Sequence, residues 1–516
     1  MRRLCIVPVL ALLLSCTPRP EEQGYWQMRG LVLSTKELAE VDWPALAARS
    51  GINTIGTHIT PSEVLAFLES PEGRRFTKDC RRYGITVEHQ LHAMAELLPR
   101  DLFAQDSTMF RMDGNGRRTP DANLCVHSEK ALDIVARNAA ALAKKLTPGN
   151  HRYYFWLDDN LPVCACPLCR EYLPSEQALI AENAMLREIR KVDPRAKLAH
   201  LAYSSFLEPP RKVTPDEGIF LEFAPIYRSW DEPLYHEDVL CPRGYPVSNG
   251  DNLRALEANL EVFPAEDAVV LEYWLDASLF SRWKRPSVEL PWREDVCRSD
   301  LATYASYGLR NVTSFAVYMD AEYFSRFPST APIEQYGRLL GSQKNIRGLH
   351  EWWQGLVDST SVSIFRDSSQ IHFIFDVRDS TPVFNGDPDE MSVDPCDRAE
   401  VFISCDPQMQ RYYCFEIDPQ GKTMDYACSF YRKYDYAWSG EQNVQARPVE
   451  GGYHVEAAFS CDYLRRLGLL QEDGSLLIGF YRGDAVRPGE ITWYSAVNPG
   501  TPEPDFHVPE SLFILK

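Results

Sequence analysis

Acidic residues stand at the ends of four predicted strands in the first two thirds of the chain. Asp158 and Asp159 follow the aromatic run "YYFW", and Glu222, Glu272 and Asp320 lie at the ends of later apolar runs. Two carboxylates can act as acid and base, or as acid and nucleophile, when their surroundings separate their pKa values. If the fold gathers these acids at one rim, they form a candidate centre for hydrolysis of glycosidic bonds.

Within this set we assign Asp159 as the general acid and Glu272 as the nucleophile or base. Glu222 would assist, and Asp158 would orient its neighbours. No cofactor is expected for this chemistry. Whether the anomeric centre is retained depends on the distance between the two working carboxyl groups.

Aromatic and polar residues flank the acids and would line the subsite, because flat rings stack on sugar faces and desolvate carboxyl groups. Arg228 could clamp a substrate carboxylate through two parallel hydrogen bonds, but it could equally pair with Glu222. The predicted substrate-binding residues of this region are His92, Trp156, Asn160, Arg228, Tyr273, Trp274, Tyr318 and Asp320.

Three cysteines follow the acids of the fourth run in the spacing C-x-C-x-x-C. They are Cys164, Cys166 and Cys169, and Cys125 could supply a fourth thiolate. A structural zinc site and a loop held by disulfides both remain open, although cysteines one residue apart pair poorly with each other. A catalytic metal is not expected, because four sulfurs close the coordination sphere. A metal-dependent hydrolase ranks last, since the histidines form no His-x-His or HExxH group.

Short apolar runs alternate with helix-like segments from residue 28 to about residue 335. Eight such runs predict a (β/α)8 barrel, whose strand ends open at one mouth. A doubly wound open sheet is the alternative. The runs are "MRGLVLS", "INTIGTHI", "ITVEHQLHAM", "YYFWLDD", "KLAHLAYSSF", "IFLEFAPI", "AVVLEYWL" and "NVTSFAVYMD".

After about residue 345 strand-like pieces follow one another without helices. Alternation with period two and turns such as "NGDPDE" and "VEGG" predict an antiparallel β-sandwich. We therefore place the barrel in residues 28–347 and the sandwich in residues 348–516.

The first residues, "MRRLCIVPVLALLLSC", combine a basic start, a short apolar run and a lipobox-like ending. They predict a lipoprotein signal peptide over 1–16, lipidation of Cys16 and a polar tether over 17–27, with an ordinary cleaved signal as the alternative. We expect a lipid anchor in the bacterial outer membrane, on its surface or periplasmic face. That compartment permits disulfides. The net charge of −19 argues against nucleic acid as a partner.

Several stretches resemble the bacterial lipoprotein family called domain of unknown function 4838. They are "VEHQLHAMAELLPR", "FRMDGNGRRTPDANLCVHS", "WLDDNLPVCACPLC", "FLEFAPIYRSW" and "LEYWLDA", within residues 28–335. That family is similar to the barrels of α-glucuronidases and β-hexosaminidases, which implies a polysaccharide-processing barrel. In α-glucuronidase-like barrels the acid comes from strand four and its partners from strands six and seven, which by position gives Asp159, Glu222 and Glu272. Hexosaminidase-like barrels carry Asp-Glu at strand four, whereas this chain has Asp-Asp, which disfavours substrate-assisted N-acetyl chemistry.

Residues 348–516 resemble the family-nine carbohydrate-binding modules through "DRAEVFISCD", "YYCFEIDPQG" and "WYSAVNPGTPEPDFHVPESLF". The resemblance implies that exposed aromatic rings hold a sugar at a chain end, with Trp438 as the candidate platform. It also implies structural calcium, with a solvated acidic loop as the alternative. The acids that could supply oxygen ligands are Asp387, Asp389, Asp394 and Asp397.

These observations predict a carbohydrate-active lipoprotein, and more specifically a glycoside hydrolase acting on poly- or oligosaccharide. The alternative is a glycan-binding surface lipoprotein without turnover. Burial of Asp159, Glu222 and Glu272 in bonded pairs, with no opening for a pyranose, would favour the binding protein.

Overall fold

The computed structural model describes residues 24–516, so the predicted signal peptide, Cys16 and the first part of the tether lie outside the described residues. The chain divides into two compact units. The first comprises residues 24–344 with Ser363–Asp367, and the second comprises Asn345–Val362 with Ser368–Lys516. Among residues 24–516, no helix has the length and apolar character needed to cross a membrane.

The first unit is built on a closed barrel of parallel strands that pair in sequence order. The last strand closes on the first, with Asn311 opposite Met28. This arrangement confirms the predicted (β/α)8 fold. The strands are β1 (Met28–Ser34), β2 (Thr54–His58), β3 (Thr86–His92), β4 (Arg152–Trp156), β5 (Lys197–Ala202), β6 (Ile219–Phe223), β7 (Val269–Glu272) and β8 (Asn311–Phe315).

Helices follow the strands and cover the barrel. They are α1 (Thr35–Glu40), α2 (Trp43–Arg49), α3 (Pro61–Glu69), α4 (Pro71–Tyr83), α5 (Met94–Leu97), α6 (Glu129–Lys145), α7 (Pro174–Ile189), α8 (Asn249–Leu260), α9 (Ala277–Phe280), α10 (Glu294–Ser306), α11 (Ala321–Arg326) and α12 (Ala331–Ser342).

Proline divides the helical stretch 61–83 into α3 and α4. The residue before a proline is disfavoured in the helical conformation, and Ser70 before Pro71 is extended, with φ −73° and ψ 163°. The Ser70 hydroxyl then accepts a hydrogen bond from the Gly73 amide at 3.0 Å and caps α4. The helix ends at Gly84, whose φ of 69° is left-handed. Local sequence therefore fixes both ends of α4.

The second unit is an antiparallel all-β structure, as predicted. Its sheet has the order β15-β14-β13-β12-β18-β19-β9-β10-β11-β17-β16, and β20 pairs with β18. The only helix longer than a single 3₁₀ turn among its described residues is α13 (Cys461–Arg466). The strands are β9 (Lys344–Glu351), β10 (Leu356–Arg366), β11 (Gln370–Arg378), β12 (Arg398–Ser404), β13 (Tyr412–Ile417), β14 (Thr423–Ser429), β15 (Lys433–Asp435), β16 (Asn443–Val449), β17 (Gly452–Ser460), β18 (Leu476–Arg487), β19 (Glu490–Ser495) and β20 (Phe513–Leu515).

Candidate active site at the barrel mouth

A cavity of about 440 Å³ opens at the end of the barrel where the strands have their carboxyl ends. Each of the eight strands, or the loop after it, contributes to the lining. The volume lies in the range of pockets that hold small molecules. The lining residues used below are Ser34, His58, His92, Trp156, Asp159, Asn160, Tyr203, Tyr227, Tyr245, Tyr273, Asp276, Trp283, Phe315 and Tyr318.

Asp159 is the open carboxylate of this cavity, with 61% of its side chain exposed. The Tyr203 hydroxyl donates to its Oδ1 at 3.1 Å. His92 Nε2 lies 3.7 Å from the same oxygen. The other ring nitrogen of His92 lies 2.8 Å from the Leu157 carbonyl, which can only accept, so Nδ1 carries a proton. The predicted residues Asp159, His92, Trp156, Asn160, Tyr273 and Tyr318 therefore meet in one cavity.

Asp276 is a second carboxyl group of the cavity, and the sequence analysis missed it. It lies four residues after β7 and caps α9, where its Oδ1 accepts hydrogen bonds from the Ser278 amide and hydroxyl at 3.0 and 2.6 Å. The Leu279 amide donates to the same oxygen at 3.3 Å. The residue is only 5% exposed. Burial raises the pKa of Asp276 to about 6, and the hydrogen bonds offset this only in part. Asp276 can therefore carry a proton under mildly acidic conditions.

Tyr273 connects the two carboxyl groups electrostatically. Its pKa is raised well above the ordinary value, first by burial and then by Tyr203, Asp276 and Asp159. Tyr273, Asp159 and Asp276 all line the same cavity. The Tyr273 hydroxyl stays protonated and can donate a hydrogen bond inside the cavity.

Aromatic rings surround the entrance. Trp283 is 56% exposed and Tyr245 is 44% exposed. The Tyr245 ring lies on Tyr227 at a centroid distance of 4.1 Å, and the Arg243 guanidinium lies 5.8 Å from the Trp283 ring. The Tyr318 hydroxyl donates to the Trp283 carbonyl at 3.3 Å and helps to hold that loop. Exposed flat rings beside carboxyl groups are suited to contact the faces of sugar rings.

Glu272 does not line the cavity, and the prediction that it belongs to the rim is wrong. Its carboxylate is fully buried and lies 2.7 Å from Arg228 Nη1. Trp230 Nε1 and the Tyr304 hydroxyl also donate to it, at 3.0 and 2.6 Å. Arg228 is equally buried, and its other partner is Asp300 at 2.8 Å. Arg228 therefore neither clamps a substrate nor pairs with Glu222; it neutralises two buried acids.

Glu222 is also buried and lies apart from the cavity lining. Trp156 Nε1 donates to its Oε2 at 2.8 Å, while Oε1 has no hydrogen-bond partner. Burial raises the pKa of Glu222 well above its usual range. This side chain supports the Trp156 ring from below and cannot reach a ligand directly, which corrects its predicted catalytic role.

Three further predicted residues serve the architecture. Asp158 is buried, accepts from the Arg100 guanidinium, and exchanges hydrogen bonds with the amide and side chain of Asn123. Asp320 is buried against Lys36 and Arg285 and caps α11. Trp274 is buried and donates from Nε1 to Asp300 at 2.9 Å. Asp158, Asp320 and Trp274 do not line the 440 Å³ cavity, although all three were predicted as site residues.

The alternation of side chains along β7 explains the error at Glu272. Successive residues of a strand point to opposite faces. Leu271 lines the cavity, so Glu272 points outward, where Tyr304 of α10 meets it. Asp276 follows in the loop, at nearly the distance from β7 that separates Asp159 from the end of β4. It stands in "LEYWLDA", four residues after β7, and Asp159 stands three residues after β4; this similar offset is the signal that could have identified it.

Comparison with known proteins bears on part of this unit. Residues 61–243 match the family model described as domain of unknown function (DUF4838). The match confirms the resemblance drawn from the sequence. The DUF4838 segment contains strands β3 to β6, Asp159 and the four cysteines, whereas Asp276 and Trp283 lie beyond it.

No curated protein matches the chain. Among solved structures, it is similar to the β-N-acetylhexosaminidase from Bacteroides fragilis NCTC 9343, with 11% identity, a TM-score of 0.38, and coverage of 61% of this chain and 66% of that chain. It is also similar to a β-galactosidase from the psychrophilic Marinomonas ef1, with 11% identity, a TM-score of 0.37, and coverage of 61% of this chain and 59% of that chain. A third similar structure is a family 9 carbohydrate-binding module from Caldicellulosiruptor kristjanssonii, solved with cellotriose. Its identity is 11% and its TM-score 0.22, and the match covers 31% of this chain and 74% of that chain. The chain thus spans less than two thirds of both enzymes, and likenesses this weak do not decide its function.

The four cysteines of the DUF4838 segment form one buried cluster. Cys125, Cys164, Cys166 and Cys169 are at most 4% exposed, and their sulfurs all lie within 4.8 Å of one another. None forms a disulfide. The cluster joins the loop after β3, which carries Cys125, to the loop after β4, which carries the other three.

The second unit has a smaller cavity of about 170 Å³. Tyr434 and Tyr436 line it with stacked rings 5.5 Å apart, and Trp493 lines it with the Arg398 guanidinium 4.7 Å from the ring centroid. Trp438, the expected platform, is not part of this lining. Its ring packs on Tyr413 at 4.6 Å, so the aromatic surface lies elsewhere in the unit.

The four acids expected to bind calcium do not come together. Asp387 and Asp389 are exposed and accept hydrogen bonds from amides of their own loop, and Asp394 lies beside Arg398 at 3.6 Å. Asp397 instead groups with Asp379 and Asp484. Arg482 already meets that group, at 2.8 Å from Asp379 and 3.0 Å from Asp484. The guanidinium therefore supplies the positive charge there.

Proposed function

We propose that the protein is a glycoside hydrolase acting on oligo- or polysaccharide, with Asp276 as the general acid and Asp159 as the nucleophile or base. The supporting observation is one cavity that contains an open carboxylate and a buried, protonatable one beneath exposed aromatic rings. Asp276 would give its proton to the leaving oxygen as the bond to the anomeric carbon breaks. Asp159 would attack that carbon, or take a proton from the attacking water.

Two histidines of the cavity suit recognition of sugar hydroxyl groups. Burial lowers the pKa of His58 to about 3, so this ring is neutral at ordinary pH. Its Nδ1 lies 2.8 Å from the Gln90 carbonyl and carries the proton, which leaves Nε2 as an acceptor. His92 is held in the same way by Leu157. Hydroxyl groups of a sugar can donate to the His58 ring, while Trp283 and Tyr245 contact its apolar face.

Turnover tests the proposal. The full chain would be incubated with a panel of aryl glycosides and polysaccharides, followed by product analysis. Asp159→Asn and Asp276→Asn should each lower kcat by about 100-fold or more, because general acid–base and nucleophilic groups contribute at least that much. Asp133→Asn, an exposed acid on α6, is the matched control and should leave the rate unchanged. Full activity in both cavity variants would refute the assignment.

A glycan-binding protein without turnover is the second candidate. The observation that favours it is the burial of Glu222, Glu272 and Asp320, which removes three of the predicted strand-end acids from the cavity. This candidate predicts that an oligosaccharide binds wild type and Asp276→Asn with equal affinity and leaves both unhydrolysed. Calorimetry combined with product analysis on the same samples separates the two functions.

The second unit is proposed to bind carbohydrate at the cavity lined by Tyr434, Tyr436 and Trp493. Stacked, partly exposed tyrosines beside a tryptophan support this assignment. Binding there would keep the barrel close to its polymeric substrate and raise the effective concentration.

The envelope location is proposed from the sequence alone. Lipidation of Cys16 would tether the protein to the outer membrane, on its surface or periplasmic side. A Cys16→Ser chain should lose incorporation of labelled fatty acid and should no longer sediment with membranes. Membrane association that survives this exchange would contradict the anchor.

A further inference from the structure

We propose that Cys125, Cys164, Cys166 and Cys169 bind one structural zinc ion. The proposal does not rest on the proposed hydrolase, because it concerns the support of the loops and not the cavity chemistry. Both zinc and disulfides are compatible with the sequence spacing, and the geometry distinguishes them.

The distances between the sulfurs fit a tetrahedral metal site. A zinc–sulfur bond is about 2.3 Å, which places the corners of a tetrahedron roughly 3.8 Å apart. Cys125 Sγ lies 3.8 Å from Cys166 Sγ and 3.7 Å from Cys169 Sγ. All four sulfurs lie within 4.8 Å of one another. A pair of disulfides would bring the sulfurs together two by two at about 2.0 Å, and would not leave four around one point.

Hydrogen-bond donors point at the sulfurs from outside the cluster. The Met112 amide lies 3.3 Å from Cys164 Sγ, and Arg118 Nη1 lies 3.6 Å from the same atom. His127 Nδ1 lies 3.2 Å from Cys169 Sγ. Four thiolates and one Zn²⁺ leave a net charge of −2, which needs such donors when it is buried. The sulfurs of Cys164 and Cys169 therefore have neighbours of the kind that a buried tetrathiolate requires.

The position of the cluster indicates what the ion would do. Asn123, two residues before Cys125, gives its amide to Asp158 at 2.5 Å and accepts from the Asp158 amide at 3.0 Å. The Ala165 amide, between two of the cysteines, donates to the Met112 carbonyl at 2.8 Å. An ion at the cluster would clamp the loops after β3 and β4 together close to the contact between Asn123 and Asp158, and Asp158 immediately precedes Asp159. Four sulfur ligands leave no open position for water, so the role is structural.

Metal analysis of the purified full-length chain tests the proposal. We expect one zinc per chain, lost in Cys125→Ser and in Cys166→Ser. Cys80→Ser is the control, since Cys80 is buried on α4 away from the cluster, and it should keep the ion. Iron in place of zinc, or zinc retained in both cluster variants, would overturn the proposal.

A measurement on the wild-type chain covers the case in which the cluster variants do not fold. Replacement of the native metal by Co²⁺ should give the visible bands of tetrahedral cobalt bound to thiolates. Thiol titration of the denatured, chelator-treated protein should find all four cluster cysteines reduced. Four thiols missing from that count, together with no stoichiometric metal, would establish disulfides and refute the zinc site.

Discussion

The buried carboxyl group of Asp276 makes the stability of the barrel depend on pH in a predictable direction. Its pKa rises from 3.8 to about 6 on folding, mainly through burial. The folded chain therefore binds this proton more tightly than the unfolded chain, so protonation of Asp276 stabilises the fold. This stabilisation is complete below pH 3.8. It is lost as the pH rises through about 6. Since one pKa unit corresponds to about 1.36 kcal/mol, the loss amounts to about 3 kcal/mol.

Asp276→Asn removes this dependence while keeping the local structure. The asparagine oxygen can still accept from the Ser278 and Leu279 amides that Asp276 now binds. The variant cannot ionise, so it should be more stable than wild type by up to about 3 kcal/mol at about pH 8, and equally stable near pH 4. It should also be inactive. A more stable but inactive variant is the signature of a functional group that is kept at a cost in stability.

Urea denaturation at several pH values, followed by tryptophan fluorescence, measures the effect on the barrel transition. Asp42→Asn makes the same exchange at the N-cap of α2, where the side chain is exposed. In that control, the free energy of unfolding relative to wild type should not increase as the pH rises. An Asp276→Asn chain that is destabilised to the same extent at every pH would show that the residue is only a helix cap, and the acid assignment would fail.

Three further predictions concern other parts of the molecule. Trp283→Ala should weaken oligosaccharide affinity about five-fold, or about 1 kcal/mol, in calorimetry, and Trp283→Phe should restore most of it; unchanged affinity would exclude this ring as a platform. Arg228→Met should lower the free energy of unfolding by about 3–5 kcal/mol, because Glu272 is left buried without its partner, and a wild-type urea midpoint would contradict this. Tyr434→Ala should reduce retention of the full chain in polysaccharide-containing gels without changing turnover of a small aryl glycoside; a loss of turnover would contradict separate roles for the two cavities.

The barrel could be predicted because its strands are buried on both faces and read as nearly continuous apolar runs. The first run, residues 28–34, coincides with β1. The other strands fall within their predicted runs except β4, which begins one residue earlier, at Arg152. Asp159 could be placed at the mouth for a related reason: it lies three residues after the end of β4, and the loops after barrel strands form the mouth.

Glu272 could not be assigned correctly from the sequence, because its orientation depends on which residues of β7 face inward. If the register of the strand shifts by one residue, every side chain of that strand points to the opposite face. Its real partners also lie far away along the chain: Arg228 follows β6, and Tyr304 lies on α10. The cysteine spacing likewise identified the cluster, but the proposal of a metal site depends on the distances between sulfurs, which the sequence does not give.

The most direct test of the account is a crystal structure of Asp276→Asn with an oligosaccharide that the wild type cleaves or binds. The account predicts a sugar ring in the 440 Å³ cavity, stacked on Trp283, with a glycosidic oxygen beside residue 276 and an anomeric carbon facing Asp159. A sugar bound only in the second unit, or one in the barrel whose anomeric carbon is remote from both acids, would contradict it.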